Sequence, residues 1–140
     1  MAERDRDTFQ LEVVTPQRLI ISEDVEELVA PGTKGYFGVW PGHTPFMTTL
    51  KIGELSYKRR GDERFLAVSW GYAEVRPEKA IVLVETAERA EEIDRARAEE
   101  SRARAEERLR HWGDATIDFA RAQAALERAL VRVSVAAKGR

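Results

Sequence analysis

Near position 93 the chain reads Ile93-Asp94-Arg95-Ala96-Arg97-Ala98, inside the longer stretch EEIDRARAEESRARAEERLR. On a helix, a carboxylate and a guanidinium three residues apart share one face, and Arg104 continues near that face two turns later. Asp94 can accept hydrogen bonds or orient Arg97, and a guanidinium offers a planar fork suited to anionic oxygens. The same two residues also fit an exposed i,i+3 pair on a solvated helix, worth about 0.2–0.5 kcal/mol. Further on, Arg121, Arg128 and Arg132 stand against only Asp118 and Glu127 in sequence. Arg128 and Arg132 are one helical turn apart, so this second stretch is locally positive.

Other chemistry is sparsely provided. His43 and His111 are the only histidines and lie in different halves; His43, in a Pro-Gly loop, reads as a hydrogen-bonded turn residue rather than a base. The absence of cysteine removes thiolate nucleophiles, thiolate metal ligands and disulfides, and fits a reducing compartment. With no Ser-His-Asp pattern, glycine-rich phosphate loop or metal-ligand spacing, independent catalysis and a required cofactor or metal are not expected. The 140 residues carry 23 Lys and Arg against 25 Asp and Glu, a net charge of −2, so no chain-wide basic field advertises nucleic acid or an anionic membrane. No apolar run is long enough to span a bilayer, and MAERDRDTFQ lacks the apolar centre of a signal peptide; a soluble protein is expected.

The elements that must hold these residues fall into two kinds. From Thr8 to about Glu85 short apolar or alternating runs are punctuated by Pro31-Gly32, Pro41-Gly42, Arg60-Gly61-Asp62 and Pro77-Glu78-Lys79, giving about nine strands. Phe9, Leu11 and Val13 share one strand face. Many short strands with short connections predict an antiparallel β-sandwich or flattened barrel over residues 1–86. From Ala87 to Trp112 the chain is rich in Ala, Glu and Arg without Gly or Pro, which predicts a helix. Gly113 suits its C-terminus, Asp114 or Thr116 the next N-cap, and a second helix runs from about Ile117 to Ala136. Residues 87–140 are thus expected to form an antiparallel two-helix hairpin, making the chain mainly β plus α. Its apolar face is thin: Ala98, Ala105, Leu109 and Trp112 on one helix, Phe119, Ala122, Leu126, Ala129 and Val133 on the other. Alanine buries little area, so docking of the hairpin on the sandwich should be marginal and movable by ligands or partners.

The segment VAPGTKGYFGVWPGHTPFMTTLKIGELSY, then SWGYAEV, then the charged Ala-rich hairpin resembles the epsilon subunit of F-type, proton-translocating ATP synthases over nearly the whole chain. Gly35, Gly38, Pro41-Gly42-His43-Thr44-Pro45 and Gly53 match the family's glycine and proline framework in order and spacing. The resemblance implies a sandwich that binds the gamma subunit beside the ring of c subunits, and a two-helix unit that regulates the catalytic head. It implies a non-catalytic, central-stalk role, peripheral at the cytoplasmic face of a bacterial plasma membrane and attached to it only through the complex. Thr33, Lys34, Tyr36 and His43 are the candidate c-ring and gamma contacts; at the Tyr36 position the family can carry an acidic residue. For Phe37 and for Trp40 alike, the sequence leaves two places open, the core, where strand aromatics usually pack, and the surface.

By the same resemblance the hairpin can leave the sandwich and extend along gamma, where basic residues of the second helix, here Arg121, Arg128 and Arg132, meet an acidic segment of a beta subunit, with alpha alongside, and oppose ATP hydrolysis. Some bacterial relatives bind ATP as a regulatory ligand through a stretch that Ile93, Asp94, Arg97 and Ala98 match, with Glu88, Arg104, Arg128 and Arg132 as further members of the site. The rival reading is a non-enzymatic adaptor that binds nucleic acid or a coiled-coil partner. Against it, the arginines of the first helix are largely matched in sequence by Glu88, Glu91, Glu92, Glu99, Glu100, Glu106 and Glu107, as on a salt-bridged solvated face, so nucleic acid is not expected as a partner.

Overall fold

The computed structural model describes residues 7–111 and 113–139. Trp112, expected on the face of the first helix, lies outside the described residues. Eight strands come first: β1 (Phe9–Val14), β2 (Leu19–Val25), β3 (Glu27–Gly32), β4 (Gly35–Val39), β5 (Phe46–Leu50), β6 (Gly53–Arg59), β7 (Asp62–Arg76) and β8 (Lys79–Arg89). A short 3-10 turn (Ala90–Glu92) leads to α1 (Arg95–Arg110) and α2 (Phe119–Lys138).

The β-sandwich followed by a two-helix hairpin is the expected architecture. The strands run in the order β2-β1-β8-β7-β5-β3-β4, with β6 bridging β3 and β7. Both β5 and β6 pair with β7, and both reach β3, so the ladder folds back into two layers. Alternation drives this: Phe9, Leu11 and Val13 of β1 are all buried, as are Leu55 and Tyr57 of β6, Leu66, Val68, Ala73 and Val75 of β7, and Ala80, Val82 and Val84 of β8. One pair departs from the antiparallel expectation. β1 and β8 are parallel, Leu11 opposite Ala80, because these strands are joined through the whole sandwich rather than by a hairpin that would force reversal.

Two boundaries differ from the sequence reading. The runs RFLAVSW and YAEVR are one 15-residue strand, β7, rather than two. Its N-terminal half pairs with β6 and its C-terminal half with β5, and the junction falls at Trp70, a non-glycine residue at φ 30°. The helix expected from Ala87 begins at Arg95. Residues 86–89 have helical composition, yet they extend β8 and pair with Ser69, Val68, Ala67 and Leu66, because ladder bonds to a buried neighbour outweigh intrinsic propensity. A truncated chain ending at Glu92 should therefore keep a cooperative sandwich. A chain ending at Glu85 loses four ladder positions against β7 and should melt at least 5 °C lower, on the order of 1–2 kcal/mol for the lost edge. Equal melting temperatures by far-UV circular dichroism would contradict the role given to residues 86–89.

The turns behave as their residues require. Arg60 and Gly61 both take positive φ in the two-residue β6–β7 hairpin, and Gly113 takes φ 90° just past α1. The second helix starts two residues later than expected, capped by Asp118 rather than Asp114 or Thr116. Asp114 instead accepts from the Thr116 hydroxyl and N–H inside the connection. Ala98 and Ala105 of α1 and Ala122 and Ala129 of α2 are all buried, confirming a seam of alanines at seven-residue spacing. Phe119, Leu126 and Val133 are only half-buried, whereas Val135 is fully enclosed.

Candidate functional site

Docking of the hairpin onto the sandwich rests mainly on the C-terminal half of α2. Val135 joins Ala67, Ala90, Ile93 and Ala98 in a second apolar cluster, separate from the sandwich core, with Phe65, Val131 and Ala136 at its margin. Polar ties surround it. Lys138 Nζ lies 2.7 Å from Glu54 Oε1 and 5.1 Å from the Phe65 ring centre. Arg132 Nη2 donates to Glu88 Oε2 at 3.1 Å; its Nε sits 2.8 Å from Glu88 Oε1 but at an angle outside hydrogen-bond geometry. The Arg128 guanidinium lies 5.4 Å from the centre of the Trp70 ring, a cation–π contact.

Between the two units opens a cleft of about 540 Å³, a size within the usual range for small-molecule sites. Ile20, Ala67 and Val68 give it an apolar floor; Arg128 and Arg132 of α2, Glu88 of β8 and Ser101 of α1 are on its walls. The structure thus brings together Glu88, Arg128 and Arg132. Arg104 is not part of the lining; its Nη2 donates to the Ser101 hydroxyl at 3.1 Å, and Arg97 is one turn before Ser101 on the same helix face.

The remaining members of IDRARA have structural duties. Asp94 precedes α1 as its N-cap: its Oδ1 accepts the Arg97 backbone N–H at 3.1 Å, so the expected Asp94–Arg97 side-chain pair is replaced by a cap. Ile93 and Ala98 are buried in the second apolar cluster. Neither Asp94 nor Arg97 lines the cleft. The sequence reading also missed a repeat. Ile117-Asp118-Phe119-Ala120-Arg121-Ala122 has the same Ile-Asp-x-x-Arg-Ala spelling, Asp118 caps α2 through the Arg121 N–H at 3.1 Å, and Ala122 is buried. The pattern starts both helices of the hairpin, with a capping aspartate and a seam alanine in each.

Charges elsewhere on the hairpin differ from the expected matching. Arg102 pairs with Glu99 and Glu106, and Arg110 with Glu107. The guanidinium groups of Arg95, Arg97, Arg104, Arg108 and Arg121 have no carboxylate among the described residues within 4.0 Å. Of the three arginines expected to meet an acidic partner, Arg121 is exposed, while Arg128 and Arg132 are partly covered and engaged by the sandwich. At the end of α1, hydrogen bonds from His111 and then Arg110 hold the Glu107 carboxyl below its usual range. The Thr116 donors do the same for Asp114.

A different surface lies at the β3–β4 end. Thr33 and Lys34 form the turn between Gly32 and Gly35, with the Thr33 and Thr49 hydroxyls 2.7 Å apart. They border a shallow groove with Phe46, Met47 and Tyr72, which are 40%, 64% and 47% exposed. Tyr36, exposed, and His43, half-buried, are both outside the groove. The Tyr36 hydroxyl accepts the Glu54 N–H at 3.1 Å, and His43 Nδ1 is 2.6 Å from the Thr44 carbonyl oxygen, the turn role expected of it. Trp40 is on the surface, its ring laid over Gly38, where an added Cβ would come within 2.7 Å of it. Phe37 packs against the core edge. Sequence reasoning passed over Phe46, Met47 and Tyr72. Adjacent Phe46 and Met47 point to opposite strand faces, so at least one had to face outward, and that was the available signal.

The structure thus shows a sandwich with an apolar groove at one end and a hairpin over a cleft that bears Arg18, Arg128 and Arg132; no group of three or more metal-binding side chains occurs among the described residues. The family model of the ATP synthase delta/epsilon chain β-sandwich domain matches residues 8–90, and that of the delta/epsilon long α-helix domain matches 91–137. The chain therefore belongs to the delta/epsilon chain family of ATP synthases. It is 52% identical to ATP synthase epsilon chain 2 of Syntrophotalea carbinolica over 94% of this chain and 95% of that one. It is 52% identical to the epsilon chain of Geotalea uraniireducens, over 93% and 94%. Its fold is shared with a chain of the Euglena gracilis mitochondrial ATP synthase OSCP/F1/c-ring structure, at TM-score 0.81 and 21% identity, over 94% of this chain and 82% of that one. As an epsilon-type chain it is a central-stalk component of the synthase rather than its catalytic subunit. No described helix is long and apolar enough to cross a membrane.

Proposed function

We propose that this chain couples the catalytic head to the c-ring through its sandwich and regulates ATP hydrolysis through its hairpin, which senses ATP. The sandwich end bearing Thr33, Lys34, Phe46, Met47 and Tyr72 is the docking surface for gamma, with Tyr36 and the neighbouring turn toward the c-ring. Its exposed rings form a contiguous apolar patch of the kind that marks a protein interface. The assembly lies peripherally at the cytoplasmic face of a bacterial plasma membrane.

The observation that carries the regulatory part is the cleft itself. Two arginines of α2 line it beside a single small apolar cluster around Val135, so an anionic ligand there would add strongly to a limited contact. ATP binds the compact form, stabilises it by mass action and opposes extension toward the beta and alpha subunits, where Arg121, Arg128 and Arg132 meet acidic groups. ATP is a sensed ligand, not a substrate.

Calorimetric titration of the isolated protein with ATP tests this. Binding at millimolar concentration or tighter is expected, weakened about tenfold or more in Arg128→Ala. Asp94→Ala would confuse helix fraying with lost ligation, since removing a cap costs about 1 kcal/mol. Asp94→Ser keeps a cap, and weakening in that variant would assign Asp94 to the ligand as well. Absence of heat at millimolar ATP would remove sensing from the function and leave the stalk role standing.

A further inference from the structure

We propose that Arg18, on the β1–β2 turn of the sandwich, is a third guanidinium ligand of the nucleotide phosphates in this cleft, so that bound ATP bridges the sandwich to the hairpin. The inference rests on the nucleotide reading of the cleft.

The physical requirement comes from linkage. A ligand shifts a docking equilibrium only by its difference in affinity for the two forms. Phosphates held solely by Arg128 and Arg132, both on α2, would travel with that helix, docked or not, and would leave its position unchanged. A contact from the opposite wall supplies the difference, and the sandwich provides one cation there. Arg18 lines the cleft that Arg128 and Arg132 line from α2.

Its backbone is pre-organised. The Thr15 N–H donates to the Arg18 carbonyl at 3.0 Å, and the Thr15 hydroxyl, in a residue only 8% exposed, exchanges 3.3 Å hydrogen bonds with the Arg18 carbonyl and N–H. Its side chain is free to respond. It is 58% exposed, and its contact with Glu92 is one long approach of 3.4 Å between Nη2 and Oε2. An exposed pair of that length holds the guanidinium weakly and can be exchanged for a phosphate oxygen at little cost. The two α2 arginines are differently placed, already engaged by the Trp70 ring and the Glu88 carboxylate. Arg18 is therefore the cation of the cleft held by a long, solvent-exposed ion pair, the tie most readily exchanged. The apolar floor beside it, including Ile20 two residues along, offers a surface for the base.

The test uses the full chain, titrated calorimetrically with ATP, together with hydrogen exchange of α2 amides with and without saturating ATP. Arg18→Ala should weaken binding about tenfold or more and, at saturation, lose most of the ATP-dependent protection of α2. Glu92→Gln frees Arg18 while keeping the side-chain oxygen that accepts the Arg89 N–H, and should bind as tightly as wild type or tighter. Arg18→Ala binding within twofold of wild type would overturn the proposal, as would an equal loss in Glu92→Gln, which would assign the effect to the ion pair. Wild type binding no ATP would instead overturn the nucleotide reading and this inference together.

Discussion

Gly71→Ala should lower the stability of the sandwich by about 3 kcal/mol or more, and its melting temperature by roughly 10 °C. Gly71 lies in the middle of β7, opposite Val84 of β8 on one side and Leu50 of β5 on the other. A Cβ there would enter the van der Waals envelope of the Leu83 carbonyl oxygen and meet Leu83 C and Val84 Cα at 2.8 Å. These are backbone atoms of a paired strand, so no side-chain rotation relieves the clash and β7 must move away from β8. Movement at this point is costly because β7 holds β5, β6 and β8 together. The preceding residue, Trp70, already occupies positive φ, so the local chain has little slack to absorb a shift. Thermal unfolding followed by far-UV circular dichroism reads the effect; melting within 2 °C of wild type would show that the β7–β8 approach is not the constraint described. Gly42→Ala is the comparison. It has no atom within 4 Å of the added Cβ, and its cost is confined to a φ of +81°.

The second large effect concerns docking of the hairpin without nucleotide. Arg132→Glu places a carboxylate against Glu88, turning a paired, partly covered contact into a repulsive one. With the two side chains 25% and 36% exposed, solvent screens part of the interaction, and a cost of about 1–2 kcal/mol is expected. Against a seam of alanines and one cluster around Val135, that is enough to raise the undocked fraction by about tenfold. Faster hydrogen exchange should appear in Val131–Ala136, while the β1 and β8 ladders stay protected. The charge swap Glu88→Arg with Arg132→Glu should restore much of the slow exchange. Failure of the swap to do so, with both proteins folded, would mean that packing around Val135 and not this ion pair controls docking.

Fold class was legible because its signals are local. Alternation marked Phe9, Leu11 and Val13 as one buried face, and glycine or proline marked the turns. Helix composition located the hairpin, though it extended the first helix into residues 87–89, where pairing with β7 prevails. The candidate site was legible only in part. Arg128 and Arg132 stood out by their unmatched charge, and the structure places both at the cleft. Asp94 stood out by motif, and the same spelling at Asp118 shows that a helix-start signal and a ligand signal look alike along a chain.

By itself the sequence determined the two units, the strand faces, the alanine seam and the excess of arginine on the second helix, all of which follow from periodicity and composition within short windows. Tertiary structure alone decided that Glu88, a strand residue, faces Arg132, 44 positions away, that Arg18 and Ser101 belong to one cleft, and that Phe46, Met47 and Tyr72 share a surface. Those groupings depend on which strands pair across long separations in sequence and on where α2 settles against β7. Such long-range choices are fixed by the summed burial of many side chains rather than by the spacing of any few.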